Sequence, residues 1–159
     1  MKKALHKPNA EQGSKRPLSL LHMDLCGPMR VQSIAGKKYV LVIVDDYSRY
    51  TWVFFLRSKD EASEVIINFI KNIQVRLQLN VQTVRTDNGT EFKNKVMHSF
   101  YTNLGITQTF SAARTPEQNG VVERKNRTLV EAARSMLTTN DLPQSLWAEA
   151  VSTACYTQN

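Results

Sequence analysis

Residues Lys38–Val44 read Lys-Tyr-Val-Leu-Val-Ile-Val, and every residue after the lysine is apolar, four of them β-branched. A run with no polar side to turn to water fits a strand buried on both faces of a sheet. A second β-rich run follows at Tyr50–Leu56, and only Asp45-Asp46-Tyr47-Ser48-Arg49 separates the two. So short a link makes them an antiparallel hairpin. Asp45 and Asp46 are the acidic pair most easily mistaken for a metal site. Asp bonds its own backbone well in turns, so the pair reads as turn residues.

The other elements fall around this hairpin. Leu18–Cys26 reads as the first strand. Ser58 and Glu61 have capping-box spacing and open a helix whose apolar stripe is Val65, Ile66, Phe69, Ile70, Ile73 and Leu77. Val81–Thr86 is a short strand, and Asn88-Gly89 after it is a turn that tolerates positive φ. Glu91–Leu104 follows as a helix with Phe92, Val96, Phe100 and Leu104 on one face, stopped by Gly105. Ile106–Phe110 is the fifth strand, Ser111–Gly120 a polar loop, Val121–Leu137 a helix. Asn140–Pro143 breaks the chain before a last helix, Gln144–Tyr156. The order β-β-β-α-β-α-β-α-α is that of an α/β domain, with three antiparallel strands and then two parallel ones.

Three acids stand out. Asp87 lies at the carboxyl end of a strand, where open α/β sheets hold ligands. Glu123 lies just inside a helix, with 35 residues between it and Asp87. Asp24 sits within an apolar strand, where a carboxylate is costly unless paired or metal-bound; the competing reading is a structural Asp bonded to a turn at Gly27-Pro28. Converging carboxylates repel one another unless a cation intervenes. Mg²⁺ fits, since it takes hard oxygen ligands from one or two carboxylates plus substrate phosphate. His22 shares a strand face with Asp24 and reads as a partly buried structural residue rather than a site residue. Glu91 reads as an exposed first-turn acid.

On the helix after Gly120, Glu123, Arg127, Val130 or Glu131, and Arg134 share one face. Arg127 is one turn from Glu123 and placed for a phosphate, with Arg124 and Lys125 on adjacent faces. The plainer reading is a solvated charged helix. The chain has 21 Lys+Arg against 14 Asp+Glu, a formal charge of +7 and a pI near 9.6. Such a surface suits a polyanion, although solubility alone would also explain it. Residues 1–17 read as a basic, flexible arm. Cys26 and Cys155 make no CxxC and suggest a reducing compartment. No run is long and apolar enough for a membrane span. There is no Gly-rich phosphate loop, no nucleophile elbow and no zinc spacing.

Four ordered motifs carry a family resemblance: His22-Met23-Asp24-Leu25-Cys26-Gly27-Pro28-Met29, Val44-Asp45-Asp46-Tyr47-Ser48-Arg49, Arg85-Thr86-Asp87-Asn88-Gly89-Thr90-Glu91-Phe92, and Thr115–Arg127. Together they resemble the integrase catalytic core of copia-type long-terminal-repeat retrotransposons, over residues 18–159. The resemblance implies a ribonuclease H-like fold with Asp24, Asp87 and Glu123 as catalytic and metal-binding acids. It implies two Mg²⁺ ions, with Mn²⁺ as a substitute, and DNA as partner. Arg124, Lys125 and Arg127 would then hold phosphates, and Gln118 and Asn119 would contact DNA from the loop. A homo-oligomer is implied too, with the last two helices and Trp147 as the expected interface, and a nuclear site of action after assembly in cytoplasmic particles. The family's zinc module and C-terminal region are not represented here, so a fragment of a longer polyprotein is expected. Glu117 stands where the family more often has Gln. The alternatives are an inert core that only binds nucleic acid or oligomerises, and a stand-alone nuclease of the ribonuclease H kind.

Overall fold

The computed structural model describes residues 14–111 and 116–159, with the backbone alone for 116–119. Its strands are β1 (Leu20–Cys26), β2 (Tyr39–Asp45), β3 (Thr51–Leu56), β4 (Thr83–Thr86) and β5 (Thr107–Phe110). Its α-helices are α1 (Ala62–Leu77), α2 (Lys95–Leu104), α3 (Pro116–Thr139) and α4 (Trp147–Gln158), with 3₁₀ turns at Lys59–Glu61 and Gln144–Leu146. The sheet order is β3-β2-β1-β4-β5. β1, β2 and β3 pair antiparallel, while β4 runs parallel to β1 and to β5. The expected five-stranded mixed sheet is the one observed.

The apolar run of β2 splits by parity. Leu41 and Ile43 join a core with Leu21, Met23, Ile66, Ile70 and Met97, under α1 and α2. Val40, Val42 and Val44 join a second core with Val122, Leu129, Ala133 and Val151, under α3 and α4. All five β2 residues from Val40 to Val44 are fully buried. Each such side chain contributes about 1.5–3 kcal/mol by leaving water, which is why this strand carries no polar position.

Of the two acids after β2, Asp45 bonds the turn backbone as expected, while Asp46 bonds Ser14, His22 and the Arg49 side chain instead. Asp45 is buried; its Oδ1 accepts from the Leu18 N–H at 2.8 Å, and its Oδ2 from the Ser48 N–H and Oγ at 2.8 and 2.7 Å. Asp46 Oδ2 accepts from Ser14 N–H and Oγ, both at 3.0 Å, and its Oδ1 lies 2.8 Å from His22 Nε2. Ser14 and Arg16, which bonds the Pro17 and Asn80 carbonyls, thus rest against the fold; residues 1–13 of the expected arm lie outside the described residues. His22 is 2% exposed, and burial lowers its pKa against the pull of Asp46. A carboxylate only accepts, so Nε2 carries the proton in this bond, and buried Nδ1 has no partner among the described residues. Burial would raise the Asp46 carboxyl, but the His22 and Ser14 bonds outweigh it and hold Asp46 well below the usual carboxylate range.

Several expectations need correction. Ser58 makes no capping bond; Glu61 Oε1 instead accepts from the Arg57 N–H. Leu77 is largely exposed, because Gln78 takes the left-handed conformation and ends α1 there. The second helix starts at Lys95 rather than Glu91, because Asn94 caps it by accepting from the Met97 N–H at 3.0 Å. Its phase follows that cap, so Met97 and Tyr101 are buried while Val96, at 59% exposure, and Leu104 face solvent. Strands four and five begin at Thr83 and Thr107 rather than at Val81 and Ile106. α3 begins at Pro116, so residues 116–120 are helix rather than loop; Pro is well suited to the first helical position. The last helix begins as a 3₁₀ turn and becomes α-helical at Trp147. Trp147 is 8% exposed, donates its Nε1–H to the Val31 carbonyl at 2.8 Å and stacks edge-on to Phe55. It belongs to this chain's own core and is not free to anchor a partner.

Candidate active site

β1 is the middle strand, and α3 crosses its face. Met23 points into the α1/α2 core, so His22, Asp24 and Cys26 point the other way, toward α3. In the parallel β1–β4 register Leu20 faces Thr83 and His22 faces Arg85. The pairing ends there and β4 ends at Thr86, so Asp87 lies just past the strand, near enough for its charge to act on Asp24.

Asp24 is half-buried, and its Oδ2 accepts from Asn126 Nδ2 at 2.9 Å. This bond to α3, rather than a turn at Gly27-Pro28, is its side-chain anchor. The Asp24 pKa is raised, first by burial and then by the negative charges of Asp87 and Glu123, against the lowering effect of Asn126. Burial and the Asp24 charge push the Cys26 thiol up as well. Asp87 is held by its own turn, with Oδ1 accepting from the Gly89 N–H at 2.8 Å. Gly89 is not in the left-handed region that the Asn-Gly pair suggests. The Glu91 carboxyl lies beside it, with Oε2 2.6 Å from where a Cβ would stand. Glu91 lies before α2 rather than in its first turn.

An open cleft of about 340 Å³ is lined by Asp24, Cys26, Glu123, Asn126, Arg127, Val130, Glu131 and Arg134. The expected α3 face therefore meets β1 as one surface. Asp87 does not line this cleft, and among the described residues no three His, Cys, Asp or Glu side chains form a ready-made metal-ligand group. The donor set is nevertheless hard oxygen, and Asp24 is destabilised as an anion by its neighbours. An open set of carboxylates suits Mg²⁺, which keeps waters and completes its shell with substrate phosphate, better than a closed zinc cage.

Arg127 lies in the carboxylate cleft, whereas Arg124 and Lys125 line a separate pocket with Arg49. Gln118 and Asn119 fall in the first turns of α3, and their side chains lie outside the described residues, as does that of Glu117. Sequence reasoning gave Asn126 no role. The available signal was an Asn within a helix, where its side chain competes with the backbone and is unfavourable unless bonded elsewhere.

Residues 14–116 match the family model described as the integrase core domain. The match ends seven residues before Glu123. The retrovirus-related Pol polyprotein from transposon TNT 1-94 of Nicotiana tabacum is 38% identical over 157 residues, 97% of this chain. The chain spans 12% of that polyprotein's length. The fold is also that of two solved structures, each 22% identical. One is the simian T-cell lymphotropic virus intasome in complex with PP2A regulatory subunit B56 gamma, at a TM-score of 0.67 over 92% of this chain and 51% of that one. The other is the HTLV-2 integrase catalytic core domain in complex with magnesium, in a trimeric form, at a TM-score of 0.62 over 89% of this chain and 84% of that one. With the family model matching most of its length, the chain belongs to the integrase core domain family.

Proposed function

We propose that this chain is the catalytic core of a DNA-integration activity that processes the 3′ ends of retrotransposon cDNA and joins them to target DNA. The observation that carries the reading is the half-buried Asp24 on the middle strand, sharing a cleft with Glu123, bonded by Asn126 and within reach of the Asp87 charge. Asp24, Asp87 and Glu123 would hold two Mg²⁺ ions, which when bound supply charge neutralisation at the phosphate and activation of the attacking oxygen. Magnesium accompanies the HTLV-2 core of the same fold, which supports this choice.

The protein's own part is positional. β1 carries Asp24, the turn after β4 holds Asp87 through the Gly89 N–H, and Asn126 bonds the Asp24 carboxylate. Arg127 and Arg134, on the cleft wall, offset the charge of a bound phosphodiester. In processing, a water oxygen forms a bond to phosphorus, and the bond from phosphorus to the donor 3′ oxygen breaks, freeing a 3′-hydroxyl. In joining, that 3′ oxygen bonds to a target phosphorus, its proton is lost to solvent, and the target strand's own 3′ oxygen leaves. Action in the nucleus, as a homo-oligomer, is part of the proposal; the intasome and trimeric states of the structural relatives support an assembly.

The dispersed carboxylates favour a second reading, a nucleic-acid-binding or oligomerisation module without chemistry. A disintegration assay on branched labelled DNA, with Mg²⁺ or Mn²⁺, separates the two. Wild type should resolve the branch, while Asp87→Asn and Glu123→Gln should bind DNA without doing so. Resolution at the wild-type rate by either variant refutes the roles of the acids. No resolution by wild type despite DNA binding favours the inert module.

A further inference from the structure

Helix α3 carries cations on two faces. Glu123, Arg127, Val130 and Arg134 line the carboxylate cleft. Val121, Arg124, Lys125 and Thr128, with Val44 and Arg49 from the β2–β3 hairpin, line a second pocket of about 220 Å³. At 3.6 residues per turn the two sets lie roughly 140° apart around the helix. The body of a helix roughly 10 Å across separates them, so one phosphate cannot occupy both.

We propose that this second pocket is a subsite for a DNA backbone phosphate other than the one undergoing reaction. The inference rests on the DNA reading above and deepens it. Three cations, one hydroxyl and no carboxylate line the pocket, and a cleft of one sign concentrates counter-ions. Thr128 Oγ1 already donates to the Arg124 carbonyl, so the guanidinium and ammonium groups are the donors available to an anion.

Two backbone positions bear on the pocket. Arg49 closes the hairpin turn at φ 65°, a left-handed conformation that suits glycine. One of its N–H groups is anchored, with Nη1 donating to Asp46 Oδ1 at 2.9 Å, and Asp46 is itself held by buried His22. The Arg49 side chain remains 55% exposed at the pocket rim, with further donors on its fork. Gly120 sits inside α3, where glycine is unfavourable. The Arg124 guanidinium lies beside it, with Nη1 2.7 Å from where a Cβ would stand.

The test is fluorescence anisotropy of a labelled DNA duplex titrated with the 159-residue chain at several salt concentrations. Arg49→Gly and Arg49→Asn remove the cation while suiting the backbone; both should melt near the wild-type temperature. Each, like Arg124→Gln, should weaken duplex binding several-fold and lower the log–log salt slope by about 0.9, one phosphate contact. Losses from Arg49→Gly and Arg124→Gln should be non-additive in the double variant if both groups grip one phosphate. Wild-type affinity and slope in the Arg49 and Arg124 variants, or strictly additive losses, overturn the shared subsite while leaving the DNA reading intact. A wild-type chain that ignores duplex DNA at low salt overturns both.

Discussion

Asn126→Ala removes the one side-chain donor that the structure gives Asp24. Asn126 is 6% exposed, and its acceptor is a half-buried carboxylate already repelled by Asp87 and Glu123. A hydrogen bond to a charged group contributes about 1.5–3 kcal/mol, against about 0.5–1.5 kcal/mol for a neutral pair. The variant should therefore lose about 2–3 kcal/mol of stability at pH 7.5. For a chain of this size that is a melting temperature lower by roughly 5–10 °C.

The loss should depend on pH in a definite direction. The folded-state pKa of Asp24 is raised above 3.8, so protonation of this group favours the fold below that value, and the benefit disappears as pH rises through the folded pKa. At pH 3.8 more than half of folded Asp24 is protonated and the bond to Asn126 becomes a neutral one. The cost of Asn126→Ala should then shrink to about 1 kcal/mol. Urea melts of both proteins at pH 3.8 and 7.5, without divalent ions, measure the difference. Equal destabilisation at the two pH values would show that the amide merely fills space, and the electrostatic account of this site would be wrong.

Asp24→Asn should raise the melting temperature of the metal-free chain at pH 7.5 by a few degrees, 1 kcal/mol being worth about 2–4 °C, because a buried, repelled charge is removed while an acceptor for Asn126 remains. The gain should vanish below pH 3.8, and millimolar Mg²⁺ should raise the melting temperature of wild type but not of the variant; a variant less stable at every pH contradicts this. Trp147→Ala should cost about 3–5 kcal/mol, since the indole packs edge-on to Phe55 and ties the Val31 carbonyl to α4. Thermal melts would detect it, and a loss below 1 kcal/mol would mean that the α3/α4 core does not depend on it.

The sheet was legible because its signal is local. Val40–Val44 can satisfy its side chains only between two layers, and the short link to Tyr50–Leu56 leaves no choice of direction. The helices were legible in kind but not in phase. The apolar spacing from Phe92 predicted a face through Val96, yet the Asn94 cap starts the count three residues later, and the buried pair became Met97 and Tyr101. Asn119-Gly120 looked like a helix breaker. Gly120 nevertheless lies buried within α3, because one glycine costs a helix only about 1 kcal/mol and tertiary packing overrides it.

The candidate site was legible as a set of acids and not as an arrangement. Which acid carries the electrostatic strain follows from topology: β1 is the middle strand, so Asp24 is half-buried between α3 and the sheet, whereas Glu123 on α3 is exposed. Asp24 is therefore the more desolvated of the two, and the chain past β4 brings the Asp87 charge within its reach. Asn126 answers only one of its two oxygens. The fold thus holds a carboxylate whose ionised form it only partly stabilises, beside two more acids and two arginines on an open cleft. That imbalance is unfavourable for a scaffold and useful for binding cations beside a phosphate, which is why the stability of Asp24→Asn, read with and without Mg²⁺, tests the function as directly as an activity assay does.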